Sequence, residues 1–378
     1  MRFVRLRLQN WKNFRSVDVP LQPRTFLVGP NASGKSNLLD AFRFLRDISQ
    51  AKGGGLLAAV EDARPGFAQL RSLHARQQSS IVIDVEVANG EEEWRYRLEL
   101  DGDKKGPKVK REEVWHRSKQ VLSRPDGDDH TDEARLRQTH LEQVNANRPF
   151  RALVEFFAGT GYLHLVPQLL RDPKRFEVVN RDPLGSDFLR RVVDTTPKTR
   201  DARLRRITKA LSVAVPNLVK LETELDKSGV PHLKGRFAHW RPNAGWQDER
   251  QMSDGTIRLL ALLWILDEGE QPLLLEEPEL SLNPAVVREI PRLVHNVQKR
   301  RSRQVILSTH SPDLLSDEGI DLAEILLVRP GKDGSEVMVA DDIENAQDLL
   351  ESGASPADVV MPLTQPRELH QGLLPYTP

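Results

Sequence analysis

The sequence predicts an α/β fold: a mostly parallel sheet flanked by helices, with an antiparallel β arm and an inserted helical lobe. Three stretches predict it. The apolar run Thr25-Phe26-Leu27-Val28 enters a glycine-bearing loop, Gly29–Ser36, and leaves it as the helical pattern Leu38–Leu45. From Met252 onward, short apolar strands alternate with helices, as parallel strands with helical crossovers do. Between Ser80 and Arg117, three strand-like runs are joined by the hairpin turns Asn89-Gly90 and Asp101-Gly102-Asp103.

Taken in order, Phe3, Arg5 and Arg7 alternate with Val4, Leu6 and Leu8, a half-exposed strand. Asn10–Phe14 turns the chain into a second strand over Ser16–Val19, and a third leads into the loop. The following helix fades near Gln50 and Gly53-Gly54-Gly55 breaks it. Up to about Gln78 the chain reads as loop, with a short helix at Leu56–Ala63. The arm comprises Ser80–Ala88, Glu93–Leu100 and Lys108–Arg117, and Arg124–His130 is turn-rich and expected to be exposed or disordered. Helices are expected at Asp132–Gln143 and Phe150–Phe157, then a strand at Gly161–Val166 ending at Pro167-Gln168. Arg171 to about Ala214 reads as mainly helical, and Leu218–Leu225 with His232–Trp240 as a strand pair.

The remaining periodicity predicts helix Thr256–Leu266, strand Pro272–Leu275, helix Pro284–Val297 and strand Gln304–Leu307. Strands at Glu324–Val328 and Glu336–Val339 and a helix near Ile343–Glu351 follow. The expected organisation is one half of the α/β body at 1–167, an inserted lobe at 168–250, the second half at 251–345, and a tail at 346–378.

Gly29-Pro30-Asn31-Ala32-Ser33-Gly34-Lys35-Ser36 fits GxxxxGK[ST] at every fixed position, and Asn37 follows it. Glycines let the backbone approach phosphates closely, and successive N–H groups with the helix N-terminus form an anion site. Lys35 is placed to reach the β- and γ-phosphates and the Ser36 hydroxyl to ligate Mg²⁺. The loop predicts a nucleoside triphosphate site; a Gly-rich strand-to-helix turn is the plainer alternative.

Composition narrows the class. The absence of cysteine excludes disulfides, thiolate zinc sites and cysteine nucleophiles. Leu259–Leu266, the longest apolar run, is too short to span a bilayer, and no secretory signal opens at Met1; a cytoplasmic protein is expected. With 55 basic and 55 acidic residues, no global field advertises nucleic acid. Locally, however, twelve Lys/Arg stand against six Asp/Glu between Arg171 and Lys209. The stretch Lys198–Lys209 reads as a helix with a basic outer face, either simply solvated or tracking DNA.

Three further motifs could complete the site. Strand Pro272–Leu275 ends in Glu276-Glu277; in phosphate-loop enzymes the first such acid serves the metal and the second polarises water. The next strand ends in Ser308-Thr309-His310-Ser311, at the carboxyl edge where α/β sheets bind ligands. Met252-Ser253-Asp254-Gly255-Thr256 opens the most apolar helix, with Ser253 as its N-cap.

In this order the motifs resemble those of the ABC-type ATPases, and more narrowly the soluble SMC, RecF and OLD (overcoming-lysogenisation-defect) group. The likeness rests on Leu8–Phe14, Gly29–Asn37, Leu274–Pro284 and Ser308–Ser311, and covers about Met1–Phe44 and Gln251–Leu315. It implies a phosphate-loop NTPase of the ABC/SMC-head type, with ATP and Mg²⁺ as cofactors. It also implies a homodimer with two ATPs between subunits, the loop of one facing Ser253, Asp254 and Gly255 of the other. The implied roles are catalysis for Glu277 and His310, ATP contact for Gly29, Asn31, Ala32, Ser33, Gly34, Lys35, Ser36 and Asn37, and metal binding for Ser36, Glu276 and Gln168. Gln69 rivals Gln168 as the glutamine that reaches the metal.

Departures from the pattern are Asp254, where the group's signature has glycine, and Glu276, where aspartate is more usual. Arg258, one turn into that helix, is placed either to touch a partner's phosphate or to pair with Asp254 or Glu277. No long coiled coil interrupts the chain, and the tail after His310 is too short for the TOPRIM nuclease of complete OLD proteins. The expected function is therefore an ATP-hydrolysing switch that controls a separate nucleic-acid-acting effector such as a nuclease, in anti-phage defence or DNA repair, with DNA a candidate ligand and no membrane. The alternatives are the ATPase subunit of a membrane transporter and an ATP-binding scaffold with little turnover. A GTPase is disfavoured, because no [NT]KxD motif follows the loop.

Overall fold

A computed structural model describes residues 1–72, 74, 80–103, 106–172, 182–241 and 244–365. Parts of the expected loop before Gln78 and of the helical stretch after Arg171 lie outside the described residues.

Strands β1 (Arg2–Trp11), β2 (Phe14–Pro20) and β3 (Arg24–Val28) precede the helix Lys35–Ser49. The arm follows as β4 (Ile81–Asn89), β5 (Glu92–Asp103), β6 (Gly106–His116) and β7 (Lys119–Arg124). After the helix Arg151–Gly159 come β8 (Gly161–Leu163), the helix Pro197–Leu211, and β9 (Leu218–Leu225), β10 (Pro231–Phe237) and β11 (Trp246–Asp248). The helix Asp254–Leu266, β12 (Leu273–Glu276), the helix Ile290–Arg301, β13 (Val305–Thr309), β14 (Ile325–Gly331) and β15 (Gly334–Val339) complete the frame.

Among the described residues the strands form three sheets. One is six-stranded and antiparallel, β2-β1-β4-β5-β6-β7. A second, β15-β14-β3-β13-β12-β8, is parallel except for its β14–β15 hairpin. The third is the small antiparallel sheet β11-β10-β9. The first two chain-order strands thus belong to the arm and not to the parallel sheet; β1 pairs with β4 over most of its length.

All five residues of β3 and of β13 are buried, as expected of parallel strands covered on both faces. Alternation along these strands feeds two cores. Leu27, Leu274, Ile306 and Leu326 face the antiparallel sheet and the helices Lys35–Ser49 and Arg151–Gly159. Phe26, Val28, Leu275 and Leu307 face the helices Asp254–Leu266 and Ile290–Arg301. Asp254–Leu266 is apolar on nearly every side because nearly every side is covered.

Three expectations are corrected. Arg124–His130 is exposed only in part: Pro125, Gly127, Asp128 and His130 face solvent, whereas Arg124 closes β7 fully buried, paired with Glu112 at 3.0 Å and Asp129 at 2.8 Å, and it donates to the carbonyls of Arg135 and Gln138. A buried guanidinium needs all its donors met, and the turns wrap around it to supply acceptors. For the same reason Asp132–Gln143 is not an α-helix but a 3₁₀ turn, Glu133–Arg137, followed by turns. The expected helix Pro284–Val297 is split into Pro284–Val287 and Ile290–Arg301, because Pro291 lacks an N–H and can enter a helix only in its first turn.

Candidate nucleotide site

Register brings the predicted loops together. Glu276 pairs with Ser308, Ser308 with Leu27, and Thr309 with Val28. Glu277, His310 and Gly29 therefore leave the parallel sheet side by side at its carboxyl edge. Glu276, Glu277 and Glu279 all act electrostatically on Lys35, raising its pKa against the larger lowering effect of burial.

The loop itself is tightly wrapped. Gly34 has φ 107° and Ala32 φ 61°, both left-handed. A Cβ on Gly29 would lie 2.1 Å from the carbonyl oxygen of Val328, and one on Gly34 2.1 Å from Asn13 Nδ2, so neither position admits a side chain. Lys35 Nζ donates to the carbonyls of Gly29 (2.8 Å) and Pro30 (3.0 Å), which holds the ammonium across the loop.

Two residues outside the predicted site brace this loop. Asn13 Nδ2 donates to Ser33 O (3.0 Å) and Ser335 Oγ (2.6 Å), and its Oδ1 accepts from Asn37 Nδ2 (2.7 Å). Trp11 Nε1 donates to Asn37 O at 2.8 Å. The β1–β2 turn thus ties the loop to the β14–β15 hairpin, whose Ser335 N also donates to Asn13 O. The sequence signal was the polar turn Asn10–Phe14, whose side chains find partners only through long-range contacts.

Glu277 has φ 42°, a left-handed conformation that costs a non-glycine residue ~1–3 kcal/mol and aims its side chain out of the strand direction. Its N–H donates to Ser308 O at 3.0 Å, and its Oε1 lies 3.2 Å from His310 Nδ1. Glu276 is held differently: the Tyr162 hydroxyl, on neighbouring β8, donates to Glu276 Oε2. Burial and this carboxylate both push the Tyr162 phenol pKa up, so it remains a donor. Glu279, unassigned in the sequence, is 6% exposed and accepts from Thr309 Oγ1 at 2.5 Å; burial raises its pKa.

Ser253 caps the helix Asp254–Leu266, accepting from Thr256 N at 3.2 Å, and is itself exposed. Asp254 turns aside to Arg171, whose Nη2 lies 2.6 Å from its Oδ1 and also donates to Met252 O at 2.7 Å. Arg258 is 5% exposed and makes no ion pair among the described residues, so it pairs with neither Asp254 nor Glu277, and burial lowers its pKa. Gln168 is exposed in the short helix Pro167–Leu170, which packs on Asp254–Leu266. Gln69 instead lines a cavity of about 490 Å³ together with Lys12, Asn13, Asn37, Arg64 and His74. Neither glutamine hydrogen-bonds Ser36 or Glu276 among the described residues.

The donor set fits Mg²⁺ chemically: a hydroxyl (Ser36), a carboxylate fixed by a tyrosine (Glu276) and an amide are hard oxygen ligands. No group of three or more His or acidic residues among the described residues could hold a metal alone.

The family described as "AAA domain, putative AbiEii toxin, Type IV TA system" matches residues 24–316. The energy-coupling factor transporter ATP-binding protein EcfA2 of Clostridium perfringens is 27% identical over 96 residues, 25% of this chain and 30% of that protein. The chain therefore matches under a third of that relative's length. Among solved structures, an SMC head bound to the C-winged helix domain of ScpA superposes with TM-score 0.56 at 17% identity, covering 89% of this chain and 97% of that one. The SMC head domain from Thermotoga maritima gives 0.51 at 18%, covering 90% and 99%. A Smc head with an extended coiled coil, bound to the C-terminal domain of ScpA derived from Pyrococcus furiosus, gives 0.51 at 17%, covering 93% and 98%. At these identities the likeness is one of fold: this is an SMC-head-like phosphate-loop NTPase fold. No helix among the described residues is long and apolar enough to cross a membrane.

Proposed function

Since the chain belongs to the AAA-domain family that matches residues 24–316, and is an ATPase of the AAA/ABC/SMC-like type, we propose that it is a dimerising switch driven by Mg²⁺-dependent ATP hydrolysis. The observation that carries this reading is the convergence of Lys35, Glu276, and the Glu277–His310 pair at one sheet edge beside the wrapped loop.

In the proposed mechanism, the N–H groups of Gly29–Ser36 and the Lys35 ammonium cradle the phosphates, and the neighbouring cavity at Asn13, Asn37 and Gln69 takes the nucleoside. Mg²⁺, when bound to Ser36 and Glu276, would neutralise phosphate charge as a Lewis acid. Glu277 orients water and accepts its proton, and His310 fixes the Glu277 carboxylate through the 3.2 Å contact. The left-handed backbone of Glu277 supports this role, since strain of that kind accumulates where a side chain must be aimed.

Head-to-tail dimerisation around two ATPs is supported by the exposed cap at Ser253: that helix end makes no hydrogen bond to its own phosphate loop among the described residues and is open to a second copy. Gln168 serves as the metal-side glutamine in this reading, which is supported by the packing of its short helix on the same helix. The domain bounds 1–167, 168–250, 251–345 and 346–378 form part of this reading. As the partner we propose a separate effector, a nuclease acting in anti-phage defence or repair. The support is the solved heads that carry ScpA segments and the AbiEii description of the family. The rival reading, a transporter ATPase subunit, draws on the EcfA2 match alone and predicts membrane association on fractionation. Sedimentation of the protein with Mg-ATP and with Mg-ADP, alongside phosphate release, tests the proposal. A dimer with ATP, a monomer with ADP and measurable turnover are expected; a monomer in both would sink it.

A further inference from the structure

The lobe between β8 and the helix Asp254–Leu266 carries two tryptophans that the fold does not bury. Trp240 is 79% exposed and Trp246 36% exposed, whereas Trp11 and Trp264 are fully enclosed. Both exposed rings are dressed with cations. The Arg241 guanidinium lies 4.4 Å from the Trp240 ring centre, and His239 stacks on that ring at 5.6 Å. Lys220 Nζ lies 6.0 Å from the Trp246 ring. Register aligns Lys220 with Arg236 and Arg236 with Trp246, so the three form one row across β9, β10 and β11.

A groove of about 730 Å³ runs beside this row, between the helix Pro197–Leu211 and β9, and Arg200, Arg205, Lys209 and Lys220 line it. Its acids are already matched: Asp201 lies 3.6 Å from Arg200 and Glu222 2.7 Å from Lys220. Two other cations of this basic helix are engaged internally. Arg206 pairs with Asp267, and Arg203 covers Trp264 at 4.5 Å. Arg205 and Lys209 are exposed and make no ion pair among the described residues, so their charge is directed at solvent or a ligand.

We propose that this groove and the lobe's two indoles bind a single strand of nucleic acid, Arg205 and Lys209 tracking phosphates and Trp240 and Trp246 stacking unpaired bases. Basic grooves flanked by aromatic platforms bind single strands because every base offers a π face once it is unstacked. A duplex hides those faces. A planar anionic membrane fits less well, since Glu222, Glu224 and Asp248 share the sheet face with Trp246 and would be pressed against it.

The test is fluorescence anisotropy of the full chain with labelled oligothymidylate and oligouridylate of about 16 nucleotides, a duplex of the same length, and phosphatidylserine vesicles. We expect binding to either single strand over duplex and vesicles, lost about tenfold in Trp240→Ala and again in Trp246→Ala, stacking being worth ~1–3 kcal/mol per base. Replacing Arg205 and Lys209 together by alanine should reduce the salt slope by about 1.4, ~0.7 per phosphate contact. Trp→Phe variants should retain most of the affinity, and ATP-dependent dimerisation should be unchanged in all of them. Duplex preference, binding to vesicles alone, or single-strand affinity indifferent to both tryptophans would overturn the proposal. A protein that dimerises on ATP yet binds no strand refutes this surface and leaves the switch standing; one that binds strands without dimerising does the reverse.

Discussion

Arg171 Nη2 stands 2.6 Å from Asp254 Oδ1, so the acid in the expected signature is neutralised within its own chain. Asp254 sits in the first turn of the helix capped by Ser253, where a carboxylate already suits the helix dipole. Its departure from glycine is therefore compensated by a residue three positions beyond Gln168. The same contact ties the short helix Pro167–Leu170 to the proposed dimer surface.

Arg171→Ala should leave that carboxylate free to repel a partner's phosphates. A partly exposed pair is worth ~1 kcal/mol, so the ATP-dependent dimer should weaken about fivefold. Asp254→Gly in the same chain should restore it. Sedimentation across protein concentration measures both, and a double variant no better than the single would refute the pairing argument.

Asn13→Ala should loosen the phosphate loop that this side chain braces. It removes three hydrogen bonds, to Ser33 O, Ser335 Oγ and from Asn37 Nδ2. At ~1 kcal/mol each, partly recovered by water, nucleotide affinity should fall about tenfold. Titration with a fluorescent ATP analogue measures this, and an unchanged affinity would show that the loop holds its shape alone.

Much of the site was legible locally and much of its support was not. The loop Gly29–Ser36, the Glu276-Glu277 strand end and the Ser253 cap are contiguous patterns whose spacing carries their geometry, and the structure places each on the expected strand or helix end. The bracing contacts of Asn13 and Tyr162 and the pairing of Arg171 join residues up to 322 positions apart, which periodicity does not reach. Arg124–His130 misled for the opposite reason. Turn-forming residues read as exposed, and Pro125, Gly127, Asp128 and His130 are, but Asp129 turns inward to a buried guanidinium that supplies the reason for the turns.

Tyr162→Phe should free the Glu276 carboxylate while preserving the ring beneath Arg43, 5.1 Å away. The Mg²⁺ concentration for half-maximal turnover should rise several-fold, with nucleotide affinity in EDTA unchanged. Mn²⁺ binding followed by electron paramagnetic resonance should weaken in parallel. Equal metal dependence in both proteins would remove Tyr162 from the site.

His140, buried beside the Arg124 network, has its pKa lowered to about 4, chiefly by burial and then by the Arg124 charge. The unfolded imidazole, with its ordinary value near 6.5, binds a proton that the folded one refuses. Its contribution to stability is therefore complete above pH ~6.5 and is lost as pH falls toward 4. The drop in Tm between pH 7 and pH 5 should be smaller in His140→Gln than in the unaltered protein. An equal drop would place the acid sensitivity elsewhere.

The most direct measurement is sedimentation of Glu277→Gln with Mg-ATP, read beside phosphate release. If Glu277 is the water-polarising group of a two-copy site, the amide keeps the shape and cannot take the proton. Turnover should then fall at least ~100-fold, the order of a lost general base, while an ATP-bound dimer accumulates and persists. Normal hydrolysis, or a monomer under saturating ATP, would contradict the account.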